Sequence, residues 1–75
     1  MNQEQKNQVK EAADLVEQAQ TIMENLREEL HQEFEELGEK AQEGKTGEKL
    51  NAEMDMIEGL DFDDLIATIQ DVGND

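Results

Sequence analysis

VKEAADLVEQAQTIMENLREELHQEFEEL, residues 9–37, is the stretch that decides the fold. Val9, Val16, Met23, Leu30 and Leu37 recur every seven residues in it, which puts one apolar side chain on the same helix face every two turns. Ala12, Ala19 and Leu26 follow ladder positions by three residues, and Leu15 and Ile22 precede them by one. Phe34 adds bulk near the end. The pattern predicts a helix over about 5–37 with Val9, Val16, Met23, Leu26, Leu30, Phe34 and Leu37 as a core or oligomer stripe. Nearly every other position is polar, and acids dominate among them.

Composition agrees with helix throughout. The 75 residues contain no Pro and no Cys, with two Phe and no Trp or Tyr. Glu, Gln, Lys, Leu and Ala are good helix formers, and β-branched residues are few. A chain this short stabilises a single core by only a few kcal/mol, so oligomerisation is the expected remedy. High charge with 35% hydrophobic residues approaches the disordered class. A register kept over four heptads argues against disorder. Neither an 18-residue apolar span nor a basic, apolar N-terminal signal is present, so a soluble cytoplasmic protein without a membrane role is expected.

Residues 38–49, GEKAQEGKTGEK, hold three of the five glycines and three of the six bases. With nothing apolar larger than Ala41, the segment 38–46 reads as a loop, with Gly38 as a helix stop and Thr46 as a cap for the next helix. A second helix over about 47–58 carries Leu50, Met54 and Ile57 on one face. The phase then slips, and Phe62, Leu65, Ile66, Ile69 and Val72 form a new stripe over about 62–72. Asp61 is a credible N-cap, with Leu60 and Leu65 placed as a hydrophobic staple. The second arm is therefore one helix bent at Gly59 or two helices, and Asp61 favours the break. The expected fold is all-α: one domain over 1–75, an antiparallel helical hairpin with a kinked or broken second arm, coiled-coil-like packing and a homodimeric state.

LREELHQEFEELGEKAQEGKTGEKLNAEMDMIEGL, residues 26–60, resembles a set of small acidic helical-hairpin proteins encoded by bacteriophages. Phe34 and Leu37 match the helix end of that pattern, Gln42 its loop, and Gly47-Glu48 its restart. The C-terminal FDDLIATIQDVGND departs from it. The resemblance implies a phage origin and a helical hairpin, and no activity.

No catalytic constellation emerges, and no cofactor or metal is expected. Glu28 and His31 have the Glu-x-x-His spacing of di-iron bundle ligands, but with Leu30 inward they face outward. Asp61, Asp63 and Asp64 open like a calcium loop, yet Leu65, Ile66 and Val72 stand where its fifth, sixth and twelfth residues must be an oxygen ligand, Gly and Glu. Gly44-Lys45-Thr46 resembles a P-loop tail with Glu39 in place of the leading Gly. There is no Ser, and none of Thr21, Thr46 and Thr68 has a plausible general base near it in sequence. Met23 and Met54 fit core stripes, leaving Met56 exposed.

Charge is the remaining signal. Of the formal −15, residues 1–37 contribute ten acids against three bases, net −7, and residues 50–75 eight acids and no base, net −8. Such a chain cannot bind nucleic acid by neutralising phosphates, and its field attracts basic surfaces instead. Two functions follow. In one, the protein inhibits a host or defence nucleic-acid-handling protein by presenting a DNA-mimicking face. Glu53, Asp55, Glu58, Asp61, Asp63 and Asp64 are then the partner-binding residues. Asp63 is foremost, because capping engages Asp61 and Asp64. In the other, the chain is a structural or assembly protein that oligomerises through its stripe, and its acids only keep it soluble.

Overall fold

The computed structural model describes residues 1–74, which form α1 (Gln3–Glu36), α2 (Glu39–Glu43), α3 (Lys45–Glu58) and α4 (Phe62–Val72), with no strand among them. The protein is all-α. It divides into two compact units, Ile22–Leu60 and Met1–Thr21 with Asp61–Asp75, so α1 contributes to both.

α1 starts two residues before the sequence reading. Asn2 Oδ1 accepts from the Gln5 amide at 2.8 Å, and the Asn2 amide donates back to Gln5 Oε1 at 3.0 Å. This reciprocal pair is a capping box built from Asn and Gln, and it satisfies two donors that would otherwise be unpartnered.

The segment 38–46 is not a loop. Gly38 is extended, and the good helix formers Glu39–Glu43 wind into α2 directly after it. The Gln42 side chain donates to the carbonyls of Phe34 at 3.0 Å and Leu37 at 3.1 Å, closing the open end of α1. Gly44, again extended, separates α2 from α3 and occupies the capping position, so Thr46 does not cap. Gly47 is buried, and a Cβ there would run into the backbone carbonyl of Gln42. The α2–α3 corner closes this tightly only because residue 47 has no side chain.

The second arm is broken, not bent. α3 ends at Glu58, and Asp61 Oδ1 accepts from the Asp64 amide at 3.0 Å to start α4. A cap of this kind specifies a new helix start.

Within Ile22–Leu60 the core is Leu30, Leu50 and Met54, with half-buried Phe34, Leu37 and Ile57 packed against it. In the other unit Ala13 is the one buried residue among those described, at 5% exposure, and Val9, Val16, Phe62, Ile66 and Ile69 are half-buried. Of the proposed stripe, Leu30 is buried, Val9, Val16, Met23, Phe34 and Leu37 are partly so, and Leu26 is exposed. An undistorted helix drifts about 20° per heptad from a strict seven-residue repeat, so successive rungs cannot all face one neighbour equally.

Candidate interaction surfaces

The six acids singled out by sequence fall three to each unit. Glu53, Asp55 and Glu58 lie on α3 in Ile22–Leu60; Asp61, Asp63 and Asp64 lie at the start of α4 in the other. Asp55, Asp63 and Asp64 are exposed, and Glu53 is half-buried. Glu58 does have a base against it: Arg27 of α1 donates to Glu58 Oε1. Sequence could not foresee a pair 31 residues apart. Both side chains are about half exposed, so the pair contributes at most about 1 kcal/mol. Capping engages the Asp61 carboxylate but only the backbone amide of Asp64, which leaves the Asp64 carboxylate outward beside Asp63.

A second acidic surface went unread in the sequence. The distal half of α1 carries Glu24, Glu28 and Glu35 along one line and Glu29, Glu33 and Glu36 along another, all exposed. At 100° per residue the two lines flank the direction opposite Leu30, with Asn25 and Gln32 between them. From Glu24 to Glu36 is about 18 Å of helix, so six carboxylates stand at about one per 3 Å. One strand of duplex DNA carries one phosphate charge per about 3.4 Å of helix axis. The signal was available in the spacing of the acids, but the apolar ladder on the same helix drew the reading to the opposite face.

Several of these acids lie at unfavourable helix positions. The last turn of α1 has no base and contains Glu33, Glu35 and Glu36; the last turns of α3 and α4 have no base either. Anionic side chains at a helix C-terminus oppose the macrodipole, typically by about 0.3–1 kcal/mol each. Helix stability therefore does not account for the placement of these acids.

The other polar candidates are simpler. His31 is exposed and pairs along the helix with Glu35, Nε2 to Oε1 at 3.0 Å, and Glu28 is exposed beside it. No cluster of three metal-ligating side chains occurs among the described residues. Met54 is buried, Met23 half-buried and Met56 66% exposed. No helix among the described residues is long and apolar enough to cross a membrane. No protein-family model, curated protein or solved structure matches the chain.

Proposed function

We propose that this chain is a non-catalytic binding protein that occupies the nucleic-acid-binding face of a basic protein by offering carboxylates in place of phosphates. The supporting observation is the exposed double line of Glu24–Glu36, whose charge spacing is close to that of a single strand and whose placement opposes the helix dipole. Asp55, Asp63 and Asp64 extend the acidic character to the second arm. The phage resemblance of residues 26–60 fits a small inhibitor acting on a host or defence protein in the cytoplasm. In this reading α1 and the second arm form an antiparallel hairpin that carries the charge.

One observation favours a second reading, a structural protein that self-associates. Ile22 at 64% and Met56 at 66% exposure, with Leu26 and Leu60, leave apolar surface on Ile22–Leu60 that a second copy could cover. Salt separates the two, because screening weakens charge mimicry and favours contact between acidic copies.

The test is capture from a bacterial lysate on the immobilised chain, followed by challenge with duplex DNA and with salt. Nucleic-acid-binding proteins that either challenge releases support mimicry. Changing Glu24, Glu28, Glu29 and Glu33 to Gln should abolish capture, and Asp55→Asn with Glu58→Gln and Asp63→Asn should weaken it. Capture that neither DNA nor the Gln variant reduces, with a mass that rises with salt, would instead establish the assembly reading.

A further inference from the structure

The unit Met1–Thr21 with Asp61–Asp75 has an open apolar groove of about 430 Å³, lined by Val9, Ala12, Ile69 and Val72 together with Met1, Gln5 and Gln8. Its two walls continue along the helices. Leu15 lies one heptad beyond Gln8 on α1, and Leu65 one heptad before Val72 on α4. Leu15, Leu65 and Val72 are 56%, 47% and 54% exposed, so apolar side chains stay uncovered about two turns apart on α4 and again at Leu15 on α1.

Apart from the α-amino group of Met1, which lines the groove, the charges on its flanks are acidic. Glu4, Gln8, Glu11 and Leu15 form a single i, i+4, i+7, i+11 line on α1, and Asp61, Leu65, Thr68 and Val72 form the same line at α4, with Asp64 and Asp71 next to it. The only positive side chains of the unit, Lys6 and Lys10, line a neighbouring hollow with Ala13, Asp14, Gln70 and Gly73, which shares only Val9 with the groove. An apolar groove rimmed by acids and by no Lys or Arg has one complement: apolar anchors flanked by bases.

We infer that this groove docks a basic amphipathic helix of a partner protein, with anchors at i, i+3 or i+4, and i+7 against Val9, Ala12, Leu65, Ile69 and Val72 and with Lys or Arg facing Glu4, Glu11, Asp64 and Asp71. The spacing suits it. Gln5 to Ala12 is about 10 Å of helix, the distance from i to i+7 on the incoming one. A second copy fits this groove poorly, since its own groove would bring acids against acids. Anionic lipid fits it poorly on the same ground. The surface is separate from the Glu24–Glu36 lines, so the inference goes beyond charge mimicry and stands or falls without it.

The experiment uses the whole chain and three synthetic helical peptides of roughly 18 residues. One carries Leu at i, i+3, i+7 spacing with Lys elsewhere, one has the same Leu with Glu for Lys, and one has the same composition with the Leu scrambled. The first peptide should shift the amide and methyl NMR signals of Val9, Ala12, Leu65, Ile69 and Val72 and bind at least about tenfold more tightly than the scrambled one; the Glu peptide should not bind. Leu65→Gln and Val72→Gln, at half-exposed positions that leave the fold intact, should each weaken the first peptide about tenfold, with Met56→Gln within about twofold of the parent. Equal binding of the scrambled peptide, shifts confined to Glu24–Glu36, or a fall in oligomer mass on Val72→Gln would each overturn the inference. The second of these outcomes would leave the mimicry reading intact.

Discussion

Ile22–Leu60 and the unit of Met1–Thr21 with Asp61–Asp75 are built from the same kinds of residue, yet only the first has a conventional core. Leu30, Leu50 and Met54 close on one another there, Gly47 lets α3 lie against the backbone of α2, and Gln42 bonds the carbonyls of Phe34 and, just past the end of α1, Leu37. In the other unit, Val9 lies against Gly73, Ala13 alone is buried among the described residues, and much of the α4 stripe stays in water. The difference teaches where bulk matters. Leu and Met facing one another fill an interface, whereas Ala and Gly let helices approach but exclude little apolar area. The first unit is therefore the stable one, and the second is a platform with surface to spare.

The largest effect should come from Leu30→Ala, which empties the middle of the stable core and should cost about 2–4 kcal/mol, a large part of a stability on the order of 5 kcal/mol. Ile69→Ala, half-buried in the other unit, should cost less than half as much in the same thermal or urea melt. Equal losses would erase the contrast between the units.

Gly47→Ala comes next. Its methyl meets backbone rather than a movable side chain, so the α2–α3 corner must open, at about 1–3 kcal/mol. At Gly73 an added Cβ meets Val9 Cγ1 at 2.9 Å, a side chain that can shift, and the cost should be smaller. A greater loss at Gly73 would place the tight corner in the wrong unit.

Hydrogen exchange sharpens the comparison without mutation. Amides of Leu50–Met54 in α3 should be protected more strongly than those of Ile66–Ile69 in α4, because local opening is easiest where few apolar contacts are lost. Removing the cap with Asp61→Ala, at about 1 kcal/mol, should speed exchange in α4 and leave α3 unchanged. Uniform protection in the parent, or loss across both helices in the variant, would mean that the units unfold as one.

The smallest expected change is a gain. Glu33→Gln and Glu36→Gln remove charge from the negative end of α1 and should raise stability by about 0.3–1 kcal/mol each, the gain shrinking as salt screens the dipole. A loss in either variant at low salt would show that these carboxylates hold something in the fold, and would remove the argument that their placement serves binding.

Much of this was legible in the chain. The break after Glu58 could be read from Asp61, because a cap is a contact between residues three apart. The capping box at Asn2 and Gln5 is equally local, with Asn and Gln in place of the commoner Ser or Thr and Glu. The acid lines of α1 were readable from spacing. By contrast, Arg27 opposite Glu58, Gln42 beneath the end of α1 and Gly47 against Gln42 join residues that only a folded chain brings together. Glu58 is without a base in its own stretch of sequence for that reason, whereas α2 follows from the local helix propensity of Glu39–Glu43 between two glycines.

The sequence by itself determined that this protein is helical and acidic, and where its second arm divides, because propensity, charge and capping act within a turn or two of each residue. Tertiary structure alone decided which rungs of the apolar ladder are covered. Burial depends on what stands opposite, so Leu30 meets Leu50 and Met54 and is sealed, while Leu15, Leu26, Leu65 and Val72, as apolar as any core residue, remain in water.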